Sequence, residues 1–148
     1  MMKENNGQVS LEYLLIFAVS IILLIAFTLP LAEISIENTM DVSNSLNVKS
    51  ELSKLSNAIS LVYSEGQGSK QTVYMTLDEP VNVKISNSYL SSNYKLSDGK
   101  YKDFKLDYNS NLNKGSLFLD KGENKIIVEW PVNDEKMIIY KKYQYKPI

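Results

Sequence analysis

Gly7-Gln8-Val9-Ser10-Leu11-Glu12 runs directly into an uncharged apolar stretch from Tyr13 to Ala32, and this junction decides how the chain is read. As a helix, Leu11 to Leu29 spans roughly 28 Å at about 1.5 Å per residue, which matches the hydrocarbon thickness of a bilayer. The segment is therefore expected to cross a membrane. A carboxylate, Glu12, opens it where an ordinary anchor places Lys or Arg. An acidic group there carries a desolvation cost, smaller at the boundary than at the bilayer centre, and calls for a partner. The competing reading is a secretory signal cut near Pro30-Leu31-Ala32. Such a signal has a basic n-region, a shorter apolar core and small residues before the cut. Here Lys3 is balanced by Glu4 and Glu12 abuts the core, so a retained helix is expected.

Gly7, Gln8, Ser10 and Glu12, in register against the apolar helix, resemble the class III signal peptide of archaeal type IV pilin-like proteins. The chain departs from that pattern at Asn6, where family members carry Lys or Arg. The resemblance implies that a membrane-embedded, aspartate-dependent prepilin peptidase cuts between Gly7 and Gln8. Residues 1–7 would leave as a leader, and residues 8–30 would stay as a helix that first anchors in the membrane and then packs in a filament core. The implied partners are the peptidase, an assembly ATPase, a polytopic platform protein and other pilin subunits. The implied product is a surface filament subunit used in adhesion, held in the cell membrane by a single pass before assembly and extracellular afterwards. The head is large beside the compact members of the family, which points to a minor subunit. Gln8, Ser10 and Glu12 form the processing motif, and Glu12 takes the family's role in subunit registry. Electrostatics agrees with that role. Cleavage leaves an α-amine on Gln8, four positions before Glu12, and a buried carboxylate facing a neighbour's amine costs far less than an unpaired one. The plainer reading has Glu12 reaching toward interfacial water near the helix end.

Pro30 removes a backbone donor inside the apolar helix and is expected to kink it, or else to mark the membrane exit with a separate helix beginning at Ala32. In residues 31–65 the pattern becomes amphipathic. Val48, Leu52, Leu55, Ile59 and Val62 recur at helical spacing as one stripe, with Ser50, Glu51, Lys54 and Asn57 mainly off it. Gly66-Gln67-Gly68-Ser69 ends the helix. The stripe is first of all the face on which the helix meets its own domain.

After Gly68 the period changes to two. Val73, Met75 and Leu77 alternate with polar residues, as do Val81, Val83 and Ile85, and Asp78-Glu79-Pro80 reads as a turn between them. Further strands are expected around Phe104-Leu106-Tyr108, Leu117-Leu119, Ile126-Val128-Trp130 and Met137-Ile139. The predicted fold is α+β: residues 66–148 form one antiparallel sheet of five to six strands, with the amphipathic half of the helix across one face.

Composition narrows the chemistry. The chain has no cysteine and no histidine, which excludes disulfides, thiolate nucleophiles, histidine bases and the usual zinc or copper sites. A net charge of −1 gives no general attraction to nucleic acid or to anionic lipid. No Asn-x-Ser/Thr sequon is present. Asp107, Asn109, Asn111 and Asn113 alternate as in a calcium loop, but Leu112 and Phe118 stand where such a loop needs glycine and glutamate, so a polar loop capping a strand is expected. Asp103 and Asp107 fall on the solvated face of a strand. No nucleophile elbow or phosphate-cradling loop is present, and the chain is read as a non-enzyme without cofactor or metal. Near the C-terminus Tyr140, Lys141, Lys142 and Tyr143 interleave cations with aromatics. They are the first candidate for a ligand-facing surface, against the plainer reading of an edge strand guarded by lysines. A membrane-anchored extracellular binding module that does not polymerise is the alternative function.

Overall fold

A computed structural model describes the backbone of residues 4–142 and the side chains of residues 10–142. One helix, α1 (Glu4–Glu65), precedes β1 (Lys70–Leu77), β2 (Val81–Ile85), β3 (Tyr89–Lys95), β4 (Tyr101–Asp107), β5 (Gly115–Leu119), β6 (Gly122–Glu129) and β7 (Ile138–Lys141). The fold is α+β, a long N-terminal helix followed by antiparallel sheets, as the change of period predicts. The chain divides into two compact units between Met40 and Asp41.

In the first unit α1 carries no charge from Tyr13 to Ala32 and presents apolar side chains on every side there. The large apolar side chains from Leu11 to Leu31 are exposed, and the helix is long and apolar enough to cross a membrane. Ser20 donates to the Ile16 carbonyl at 2.7 Å and Ser35 to the Leu31 carbonyl at 2.8 Å, so these hydroxyls are satisfied within the helix itself. The helical backbone continues through Pro30, and no separate helix opens at Ala32. The proline ring still deprives the Ala26 carbonyl of its usual donor.

The second unit begins with the rest of α1. Val48, Leu52, Leu55, Ile59 and Val62 are all buried, as their spacing predicts, and they share one core with residues of both sheets. The helix stops as Gly66 takes a φ of 85°, a conformation that glycine adopts without strain, and donates its N–H to the Val62 carbonyl at 3.1 Å. Ser69 Oγ donates to the same carbonyl at 2.9 Å. Glu51 corrects the reading of the stripe, since it is buried rather than off it. Its carboxylate accepts from Lys54 Nζ at 2.6 Å and from the Thr76 N–H at 3.4 Å. β1 is an edge strand, and Glu51 thus covers one of its open backbone donors.

The strands form two sheets rather than the single sheet expected. One has the order β1-β6-β7 and the other β4-β3-β2-β5. β1 pairs with β6 over its whole length, from Lys70 opposite Glu129 to Leu77 opposite Gly122. Asp78-Glu79-Pro80 therefore carries the chain from one sheet to the other and does not close a hairpin. Alternation fixes which face of a strand is buried, but it does not choose the strand's neighbour. β3 escaped the sequence reading because its inward positions are Leu90, Ser92 and Tyr94. The buried Ser92 is accommodated by donating to the Asn82 carbonyl at 3.0 Å. Buried Asn124 is likewise satisfied, accepting from the Asp120 N–H at 2.9 Å and donating to the Asp120 and Gly122 carbonyls at 2.7 and 3.1 Å. Asp41 binds the β3–β4 turn, accepting from the Ser97 N–H at 3.0 Å and from its hydroxyl at 2.8 Å.

Two measurements test this core. In the detergent-solubilised chain, Leu55→Ala should lower the unfolding free energy by about 2–5 kcal/mol. The exposed Leu61→Ala should change it by less than about 0.5 kcal/mol in the same denaturant titration. The buried Tyr108 hydroxyl donates to the Ser86 carbonyl at 2.5 Å, and burial pushes its phenol up to about 12. The folded chain keeps this proton after the unfolded chain has lost it at about pH 10. Its stabilising contribution is therefore whole below that pH and is lost as pH rises toward 12. Tyr94 is raised by burial in the same direction, so Tyr108→Phe should shrink the alkaline loss of stability without abolishing it.

Candidate functional site: the start of the apolar helix

Gly7 and Gln8 lie in helical backbone, and the description of side chains starts at Ser10. Helical spacing sets residue 8 and residue 12 one turn apart on one face. Ser10 and Glu12 are exposed, and Leu11, Tyr13, Leu14 and Leu15 flank Glu12 with exposed apolar side chains. Among the described residues no cation forms an ion pair with Glu12. The next charge along the chain is Glu33, beyond the apolar run. Among the described residues, this carboxylate thus stands at the edge of a membrane-length apolar surface with no cation of its own unit to neutralise it.

Residues 5–31 match the class III signal peptide family. The chain carries that signal. The matched segment includes Gly7, Gln8, Ser10, Glu12 and Pro30, and with the long apolar helix it fits a type IV pilin-like protein. A class III signal peptide implies processing by a prepilin peptidase and assembly machinery of the pilus type. It also accords with membrane anchoring through the apolar helix before assembly. Neither the comparison with curated proteins nor that with solved structures gave a match.

The C-terminal candidates are arranged differently from one continuous patch. Tyr140 and Lys141 belong to β7, the edge of the three-stranded sheet, and alternation sends them to opposite faces. Tyr140 is exposed, whereas Lys141 is half-buried and its ammonium pairs with Asp120. Lys142 is exposed and donates its N–H to the Lys125 carbonyl at 2.9 Å. Tyr143 lies outside the described residues. The alternating 107–113 segment is tied down internally. Asn111 Oδ1 accepts from the Met137 N–H at 3.1 Å, its amide donates to the Glu135 carbonyl at 2.7 Å, and Asn113 Oδ1 accepts from Lys136 Nζ at 2.7 Å. Those contacts use the segment's amides to hold the 134–137 loop, in keeping with a polar structural loop. Sequence reasoning missed Asp41, whose role depends on a turn far along the chain.

Pro30 offers a direct test of local helix stability. A helix-interior proline costs about 3 kcal/mol relative to alanine. Pro30→Ala should therefore slow amide exchange of residues 27–33 in detergent micelles. Unchanged exchange there would show that Pro30 does not loosen α1.

Proposed function

We propose that this chain is a structural subunit, of the minor kind, of an archaeal type IV pilus-like surface filament, with adhesion as its use. The observation that carries the reading is the coincidence of the class III signal with the start of a helix whose apolar surface no described residue of its own unit covers. In this account the peptidase cuts after Gly7 and the new amine of Gln8 enters the membrane boundary. Glu12 then draws a neighbouring subunit into register, because a carboxylate in an apolar bundle is tolerable only when paired. The apolar side chains from Leu11 to Leu31 exchange lipid for one another as the fibre forms. An assembly ATPase and a platform protein would drive that transfer, and the head would remain outside the cell. No reaction is assigned to the chain. The sequence supplies neither a histidine base nor a thiolate nucleophile, and Asp103 and Asp107 lie on an exposed strand face.

A second reading has the same anchor holding a monomeric binding module at the cell surface. The compact unit from Asp41 onward favours it, since that unit has its own core. Co-expression with a prepilin peptidase separates the possibilities. Mass spectrometry should find the mature N-terminus at Gln8, and Gly7→Val should abolish the cut. Glu12→Ala should be processed normally yet be depleted from the sheared filament fraction. A mature start near Glu33 would replace the pilin reading with ordinary secretion. Processing at Gln8 without entry into filaments would favour the monomeric module.

A further inference from the structure

The outward face of the four-stranded sheet carries polar groups that the fold does not use. Lys84 of β2 stands opposite Ser91 of β3, and Ser91 stands opposite Lys105 of β4. Farther along β3 and β4, Asn93 stands opposite Asp103. These side chains line one shallow pocket of about 200 Å³. Two other lysines near β4 are engaged: Lys100 pairs with Asp98 at 2.9 Å, and Lys102 Nζ donates to Ser45 Oγ at 3.3 Å. Among the described residues, no hydrogen bond or ion pair engages the Lys84 ammonium, the Ser91 hydroxyl, the Asn93 amide or the Asp103 carboxylate. Lys105 is held loosely, 3.4 Å from an Asp107 oxygen and 4.7 Å above the centre of the Tyr89 ring. The pocket thus has two ammonium groups, one carboxylate, an amide and a hydroxyl, beside an exposed aromatic edge.

We propose that this pocket binds an anionic sugar unit of a surface polysaccharide, of the uronate type, through charge complementarity with Lys84 and Lys105. The ligand's carboxylate lies between the two ammonium groups, which sit two strand spacings apart, roughly 10 Å at their backbones. Ser91, Asn93 and Asp103 then meet ring hydroxyls, which both donate and accept. The two ammonium groups of the lining exceed its single carboxylate by one, and Asp107, outside the lining, offsets that excess only across an exposed 3.4 Å pair with Lys105, a balance that suits a singly charged unit. A neutral sugar leaves that excess unanswered. A nucleic-acid backbone brings dense phosphate that needs many cations and would face Asp103 and Asp107 on the same sheet, in a chain whose net charge is −1. Exposed charge pairs are individually weak, so a single site binds weakly and repetition along a filament supplies avidity. The site itself does not depend on the filament reading.

The test uses the full-length chain in a neutral detergent, titrated with trigalacturonate and, in parallel, with maltotriose, inorganic phosphate and an oligodeoxythymidine, with chemical shifts of β2, β3 and β4 followed by NMR. Trigalacturonate should saturate the site with an affinity at least about tenfold above maltotriose, a difference of about 1.4 kcal/mol. Lys84→Ala should abolish that preference, Lys84→Arg should keep it, and Lys121→Ala, outside the pocket, should leave it unchanged. Lys84 is exposed, so unaltered circular dichroism is expected of its variants. The proposal is overturned by an absence of saturable trigalacturonate binding, by an equal response to maltotriose or phosphate, by tighter binding of the oligodeoxythymidine, or by an unchanged Lys84→Ala. None of these results bears on where the mature chain begins.

Discussion

The head of this protein depends on the burial of one helical stripe. Val48, Leu52, Leu55, Ile59 and Val62 enter a core to which both sheets contribute, with Met75 and Ile126 from one sheet and Val83, Leu90 and Leu119 from the other. No ladder joins the two sheets among the described residues, so side-chain burial against a common helix has to do what backbone pairing does within each sheet. Each fully buried aliphatic side chain contributes about 1.5–3 kcal/mol. The stripe is thus a large part of what holds a three-stranded and a four-stranded sheet in one unit. The polar contacts are arranged around that burial. Glu51 and Asp41 reach from the helix to a strand edge and to a turn, and each carboxylate there accepts a backbone N–H, of Thr76 and of Ser97.

Within a single helix the sequence is written for two surroundings. From Leu11 to Leu31 the large apolar residues leave no polar face, the pattern suited to lipid or to the interior of a bundle. From Val48 to Val62 all of them but the exposed Leu61 keep to one side, the pattern suited to a helix lying on a globular domain. Between these stretches Glu33, Glu37 and Asp41 introduce the first charges after Glu12, and the exposed Met40, Val42 and Leu46 leave the buried face there to Ser45.

Much of this was legible before any coordinates, and for a physical reason in each case. The buried stripe follows from helical spacing, and the strands β1, β2 and β6 follow from alternation. The signal segment follows from four residues held in register against an apolar run. What stayed hidden depended on partners distant in sequence. Glu51 looks like a solvent-facing residue until an open strand edge is placed beside it. β3 looks like a polar loop until Asn82 supplies an acceptor for Ser92. The division into two sheets turns on the choice of β6 as the neighbour of β1, which no local pattern encodes. The row of Lys84, Ser91 and Lys105 exists only once β3 is recognised as the strand between β2 and β4.

The end of α1 has a consequence for observing the molecule. Trp130, the chain's one tryptophan, stacks on Tyr63 with ring centres 5.8 Å apart and planes 2° from parallel, and its indole N–H is held by the Asp134 carbonyl at 2.9 Å. The sole strong fluorophore therefore sits where the last turn of the helix meets the exit of β6. Excited selectively over the tyrosines, its emission reports on that seam, and the apolar segment contributes no tryptophan signal. The protein carries an optical gauge of whether its helix is docked, readable in a micelle, a vesicle or a fibre without a label.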